Sequence, residues 1–406
     1  MNALPKIKSD DSRAADRPLV SVVISNFNYA AYLADAIDSA LQQDYAAKEI
    51  LVVDDGSTDD SRHIIAGYGA TVIPIHKANG GQASALNSGF DASHGDIIFF
   101  LDADDLLLPS ALTHILVEFS DSGISNVHWP MWVVDSHGKR SGDTRPPQPP
   151  GEGDLCQQLL ERGPSNLPCC PTSGNAWSRG FLERVLPIPE DVPYYRQCAD
   201  EYLYTLAPAF GRVRTIVEPQ SCYRLHGRNI YSGRTFREKL DFELDGYDQQ
   251  CSALSAALSR NGITVDVGAW KEHSWFHRLN QAVTILLDTV PEGSTLVLVD
   301  GGAWEAAGAF GRRIVRPFLL RNGVDWGPPR DCAAAIAEWE SMRFQEAQYL
   351  AIAWHCFWWY DAYPRFCRHL EQHADCIVKN DVIAVYKLVA DESQRELEYS
   401  CFSQEG

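Results

Sequence analysis

Between Lys77 and Lys139 the sequence contains no lysine or arginine at all. The gap matters because it holds Asp102, Asp104 and Asp105 in "FFLDADDLLLP", three carboxylates with no basic neighbour along the chain. Basic residues are scarce elsewhere too: 35 Lys and Arg against 54 Asp and Glu leave a formal charge of −19. That balance argues against a nucleic-acid binder, which needs a basic face, and against attraction to anionic lipid. No apolar run reaches the roughly 20 residues of a membrane span; the greasiest stretch, "IAWHCFWWY", is far shorter. The 11 cysteines form no repeated C-x-x-C pair and no metal-ligand spacing, which fits a reducing compartment better than a disulfide framework. Residues 1–17 are polar and lack the apolar core of a signal peptide. The expectation is a soluble cytoplasmic chain. At 406 residues it is too long for one ordinary core, so two domains are expected.

What is present is alternation. "PLVSVVIS", "EILVVDD", "ATVIPIH" and "DIIFFLDADD" read as strands continuous in Val, Ile and Phe. Between them "AAYLADAIDSALQQ" repeats apolar residues at helical spacing, with Leu33, Ala36, Ile37, Ala40 and Leu41 on one face. "GSTDDSRHIIAGY" and "GGQASALNSGFDAS" supply two further helices. This pattern predicts an α/β fold with a mostly parallel sheet covered on both faces. Ligands of such sheets gather outside the carboxyl ends of the strands. The polar clusters "SNFNYA", "DDGSTDD" and "DADD" all follow strands and are therefore expected at one rim. Downstream, "NVHWPMWVVDSHGKR" reads as a hairpin turning at Ser136-His137-Gly138, and "DTRPPQPPGEGD" as a surface loop.

Carboxylates at a strand end with no cation in sequence suit a hard divalent metal that also binds phosphate oxygens. Asp102 and Asp104 fall on one side if strand geometry persists; Asp105 then points elsewhere, as a cap for the following helix. The plainer reading makes all three loop and cap residues, and for an isolated D-x-D it is the better one. At the second strand end, Asp54 or Asp55 offers an acceptor for a nucleoside, although helix capping explains the same residues. Gly80 and Gly81 allow close backbone approach, with Asn79, Gln82 and Asn87 as neutral donors.

Taken in order and spacing, "SVVISNFNYAAYLADAIDSALQQDYAAKEILVVDDGSTDDS" and "KANGGQASALNSGFDASHGDIIFFLDADD" resemble family 2 glycosyltransferases of the GT-A fold. The resemblance implies sugar transfer, with inversion, from a nucleotide-diphosphate donor. It places Ser25, Asn26, Asn28, Asp54, Asp55, Gly81, Gln82, Asn87 and Asp102 at the donor. It makes Asp104 the direct ligand of a Mn²⁺ or Mg²⁺ ion, with Asp102 near the ribose or the metal. "RQCADEYLYTLAPAFGRV" resembles the family's later acidic segment, so Asp200 is the expected general base and Glu201 the fallback; Ala199 stands where the family has a first acid. "CYRLHGRNIYSG" resembles the segment that folds over the donor phosphates, with His226 as a metal or diphosphate contact and Arg224 or Arg228 offsetting charge. "PTSGNAWSR" resembles the acceptor-facing segment, with Gly174 and Asn175 at the pocket. One departure is Leu86, where many relatives carry Arg.

The expected organisation is a tail (1–17), a GT-A domain (18–240), a helical linker region (241–290), an accessory α/β domain (291–392) and a second tail (393–406). No Q-x-x-R-W motif occurs, so transfer of single sugars is expected rather than processive synthesis. The expected partners are a nucleotide-diphosphate sugar, a UDP-sugar first among them, and a carbohydrate or lipid-linked acceptor at the inner face of a membrane. Two rivals remain: an inactive nucleotide-sugar-binding scaffold, and a sugar nucleotidyltransferase, whose basic Gly-rich first loop is replaced here by "SNFNYA". Trp358, Trp359 and Tyr360 could form a sugar-stacking platform, or serve packing.

Overall fold

The computed structural model describes residues 17–121, 123–164, 170–227, 233–304, 308–318, 320–321, 324–325, 327–344 and 346–389. The chain divides into two units, 1–232 with 245–271, and 233–244 with 272–406. Helices of the stretch 241–290, which reads in sequence as a region of its own, are distributed between them.

The first unit is built on strands whose Val, Ile and Phe are covered on both faces. β1 (Val20–Asn26) leads to α1 (Ala30–Leu41), β2 (Lys48–Asp54), α2 (Ser61–Gly67), β3 (Ile73–His76), α3 (Gln82–Ala92) and β4 (Ile97–Asp102). Leu33, Ala36, Ile37 and Ala40 of α1 are buried, the face its spacing predicts. α3 lies against the sheet at Gly89, where an added Cβ would stand 2.2 Å from Val23 Cγ1. β1 is flanked in parallel by β2 and β4, with Asn26 opposite Asp54 and Ser25 opposite Asp102. The register therefore lines up the three polar strand ends, as the alternation predicts.

The chain continues through β5 (Leu106–Leu107), α4 (Ala111–Glu118), β6 (Ile124–His128), β7 (Met131–Val134), β8 (Arg140–Arg145), α5 (Cys156–Arg162), β9 (Asn175–Ser178), α6 (Arg179–Val185), α7 (Ala199–Phe210), β10 (Arg212–Thr215) and β11 (Ser221–Arg224). Among the described residues the main sheet runs β10-β6-β9-β4-β1-β2-β3, parallel except where β9 pairs with β4 and β6. A second sheet runs β5-β11-β7-β8. β7 and β8 form the predicted hairpin, but β8 extends to Arg145, so the surface loop begins later than its Pro content suggests. The sheets are joined through Trp129. Its ring stacks on Phe99, centroids 5.7 Å apart, worth ~1 kcal/mol beyond burial. Its indole N–H donates to Ser221 Oγ at 2.9 Å, which fixes β11 beside the strand ends.

α8 (Phe236–Arg260), α9 (Val267–His273) and α10 (Trp275–Thr289) follow. The second unit then adds β12 (Thr295–Val299), β13 (Ile314–Pro317), β14 (Leu320–Arg321), β15 (Val324–Asp325), α11 (Cys332–Phe344), β16 (Tyr349–Ala353), α12 (Trp359–Ala362), α13 (Pro364–His373), β17 (Ala374–Lys379) and β18 (Ile383–Leu388). Its main sheet runs β13-β12-β16-β18-β17. Trp339, Phe366 and Leu370 form a core with Val297, Leu350 and Tyr386; Leu279, Val283 and Leu286 of α10 form another with Leu296, Ala351 and Val385. Trp359 is only 4% exposed and packs against Phe318, Tyr363 and Phe366. It therefore serves the core and not a sugar platform. No helix among the described residues is long and apolar enough to cross a membrane.

Candidate active site

A cleft of about 980 Å³ opens at the carboxyl ends of β1, β2 and β4 in the first unit. Ser25, Asn26, Asn28, Asp55, Gly81, Gln82, Asp102, Asp104, Asp200 and Glu201, brought together from five separate segments, line it.

The acidic loop is arranged by the strand end. Asp102 accepts Ser25 Oγ at 3.1 Å and Gln82 Nε2 at 3.3 Å. Burial, together with the negative charge of Asp104 and Asp200, pushes its carboxyl up to about 7. Asp104 Oδ2 lies 2.7 Å from His226 Nε2. The His226 ring stacks on Tyr32, centroids 5.0 Å apart, and meets the Tyr29 ring edge-on at 5.5 Å. Asp105 is not the cap expected of it. It is buried and accepts the Arg224 backbone N–H at 2.9 Å, and burial followed by the charges of Asp104 and Asp102 raises its carboxyl well above the usual range. Arg224 holds the loop by its backbone: its guanidinium donates to Asp104 O at 2.8 Å and Ser136 O at 3.1 Å, and pairs with Asp35 at 3.1 Å. It sits over the Tyr32 ring, buried among these partners, so its geometry is that of a loop clamp. Arg228 lies outside the described residues.

The structure separates the Asp54–Asp55 pair. Asp54 is fully buried, taking Arg62 Nε at 2.8 Å, Asn26 Nδ2 at 3.3 Å and Ser57 N at 3.3 Å. Burial would raise its carboxyl, but the bonds from Ser57, Arg62 and Asn26 outweigh it and hold the group below the ordinary range. Asp54 is not among the cleft residues, contrary to its place in the donor set. Asp55 lines the cleft, where it accepts Lys77 Nζ at 2.6 Å, Gly80 N at 2.9 Å and Gly81 N at 2.7 Å. Gly81 has φ 87°, and a Cβ there would stand 2.8 Å from that of Arg196.

Asn87 also lies outside the cleft. Its amide donates to Ile188 O at 2.9 Å and Glu190 Oε1 at 3.0 Å while its oxygen accepts Ile188 N at 2.8 Å, so it anchors the segment after α6. Leu86, fully buried, is a core residue on the same helix. Gly174 and Asn175 are buried beneath the cleft. Asn175 donates to Cys170 O at 3.0 Å and Pro171 O at 2.9 Å; Cys170, Pro171 and Thr172 are the residues of that segment that reach the surface of the cleft.

Asp200 occupies the first turn of α7 and accepts the Glu201 N–H at 3.1 Å. Burial raises its carboxyl to about 6, against hydrogen bonding from Thr172 and the Glu201 backbone. Glu201 accepts Tyr194 Oη at 2.7 Å and is also bonded by Gln250 Nε2. Gln82 ties these parts together. Its amide donates to Asp102 and, at 3.0 Å, to Thr172 Oγ1, and its oxygen accepts Ala199 N at 2.9 Å. Sequence reasoning misses Thr172, Arg145 and Arg196 at the cleft and Lys77 beside Asp55. Lys77 directly precedes the double-glycine loop and was visible as its nearest cation; the others come from segments too distant for any local pattern.

With this geometry, residues 21–184 match the model of glycosyl transferase family 2. An uncharacterized glycosyltransferase of Nostoc sp. is 39% identical over 215 residues, 52% of this chain and 66% of that protein. One of Rickettsia typhi is 44% identical over 97 residues, 24% of this chain and 30% of that protein. Chondroitin synthase of Pasteurella multocida is 39% identical over 113 residues, 27% of this chain and 12% of that protein. The chain thus spans less than two thirds of the length of these relatives. Among solved structures, S. aureus TarS 1–349 in complex with UDP-GlcNAc aligns at 16% identity, 66% of this chain, 80% of that chain and a TM-score of 0.42. The mannosyltransferase of Pyrobaculum calidifontis in complex with GDP-Man and Mn²⁺ aligns at 19% identity, 67% of this chain, 81% of that chain and a TM-score of 0.41. Overlap this low fixes neither ligand nor site. The family match rests on the sequence of residues 21–184, which supply β1 to β9 and most of the cleft's acidic rim. The chain carries a family 2 glycosyltransferase domain, followed by a second α/β unit.

Proposed function

We propose that the first unit transfers a single sugar, with inversion, from a nucleotide-diphosphate donor to a hydroxyl of a carbohydrate or lipid-linked acceptor. The observation that carries this reading is the convergence of Asp102, Asp104 and Asp200 on one cleft. Asp200 is the general base: a buried carboxyl poised at about 6 is ionised at neutral pH yet basic enough to take a hydroxyl proton as the bond forms. Glu201 is held by Tyr194 and Gln250, which favours Asp200 for that role. Asp55, with the Gly80 and Gly81 amides locking its carboxylate, faces the nucleoside.

A divalent ion is read onto Asp104, with Asp102 and His226 to complete its shell. Asp104 and His226 stand 2.7 Å apart, and the charge of Asp104 and Asp200, which adds to burial in raising Asp102, is a repulsion a cation would relieve. Bound Mn²⁺ or Mg²⁺ would neutralise charge on the leaving diphosphate. The protein's own part is to hold donor and acceptor in line, with Gln82 coupling Asp102 to Thr172 and to the start of the helix that bears Asp200. The family resemblance extends the reading to a UDP-sugar donor and to surface polysaccharide or glycoconjugate synthesis on the cytoplasmic side. Calorimetric titration with UDP, GDP and dTDP, with and without Mn²⁺, tests it. Metal-dependent binding of one nucleotide, lost in Asp104→Ala, is expected; folded protein that binds none of them overturns the transferase reading.

A further inference from the structure

The second unit carries an ionisable cluster of its own. His369 and His373 are four residues apart on α13 and so share a face; their ring centroids are 4.3 Å apart. α13 packs on α11 through Phe366, Leu370, Trp339 and Met342. That packing brings Glu340 of α11 to the histidines, with His369 Nε2 2.5 Å from Glu340 Oε1. One ligating atom from each of the three side chains lies within 4.8 Å of the other two. Ligands about 2 Å from a common ion stand at most about 4 Å apart, so small side-chain rotations close the set.

Two details go beyond proximity. His373 Nδ1 is 2.8 Å from His369 O. A carbonyl only accepts, so Nδ1 carries the proton and the Nε2 lone pair is left for coordination. Metal sites commonly set a ligating histidine's tautomer in this way. Glu340 is oriented by Arg343, whose Nη1 lies 3.0 Å from both carboxylate oxygens. An ion pair between His369 and Glu340 explains two of the three residues; the second imidazole, with its tautomer fixed, is not needed for it.

We propose that Glu340, His369 and His373 form a binding site for a divalent transition ion of the zinc class. Two imidazoles and one carboxylate suit such an ion better than Mg²⁺ or Ca²⁺, which prefer all-oxygen shells. Three protein ligands leave a position for water, and the ion ties α11 to α13.

The test uses the full chain, stripped with chelator and titrated with Zn²⁺ by calorimetry and with Co²⁺ by visible absorption. One equivalent at a nitrogen and oxygen site that persists when the cleft's metal donor is removed by Asp104→Ala is expected, together with a zinc-dependent rise in melting temperature. His369→Ala and His373→Ala each weaken binding by at least about tenfold, and Asp104→Ala leaves it intact. If an alanine variant does not fold, Glu340→Gln, which keeps the side chain's size, reads the same loss. Unchanged affinity in the folded variants, a thiolate-to-cobalt band placing the ion on cysteine, or no binding at all overturns the proposal.

Discussion

The carboxylate of Asp104 stands 2.7 Å from the Nε2 of His226, although 122 positions separate them in the chain. β11 makes the meeting possible, since its end at Arg224 is pinned to the acidic loop by the Asp105 carboxylate. His226→Ala is expected to weaken Mn²⁺-dependent nucleotide binding by at least roughly tenfold, the scale of losing a group at a metal, and to leave the melting temperature within a few degrees. Calorimetry with and without Mn²⁺ measures the first and thermal unfolding the second. Equal nucleotide affinity in variant and parent would remove His226 from the site.

As the proposed base, Asp200 sets a pH dependence. Its carboxyl is raised to about 6, so a growing share is protonated below that pH and cannot accept the acceptor's proton. kcat/KM is expected to rise as pH increases through about 6 and then to level. Asp200→Asn should lower turnover by roughly 10²–10⁴ while nucleotide affinity holds. A profile flat from pH 4.5 to pH 8, or an active Asn variant, assigns the base elsewhere.

Asn87 separates two roles that its position leaves open. In the structure it serves Ile188 and Glu190. Asn87→Ala leaves buried backbone groups of Ile188 without their partner and is expected to cost about 1–3 kcal/mol in chemical denaturation. Nucleotide affinity should not change. A variant of full stability and poor affinity would restore Asn87 to the donor site.

Asp54 gives the opposite sign of linkage to Asp200. Its folded carboxyl is held below the ordinary value, so it contributes stability that is complete above about pH 4 and is lost as pH falls through the folded value. Asp54→Asn should lower stability at pH 7 and flatten the acid limb of the stability curve. An unchanged acid limb, followed by denaturant titration at several pH values, would show that the Arg62 pair contributes little.

The residues of the cleft show where local reasoning stops. Strand periodicity and loop composition place Asp102, Asp104 and Asp55 at one rim because each follows a continuous apolar run in a parallel sheet. They do not decide between Asp54 and Asp55, since adjacent residues at a strand end exchange faces with any small turn of the backbone. Asp54 went to Arg62 and the interior; Asp55 went to the cleft. "LNSG" and "SGN" read as polar contacts, yet Asn87 and Asn175 spend their amides on nearby backbone carbonyls under the surface.

By itself, then, the sequence determined the alternating strands and helices, the covered sheet and the gathering of acids at its rim, because hydrophobic period and capping act over a few residues. Only the tertiary structure decided that His226 reaches Asp104, that Gln82 links Asp102 to Thr172 and Ala199, and that Glu340 lies under His369. Those pairings depend on how whole elements pack, and packing is set by the sum of many buried contacts that no short window of sequence contains.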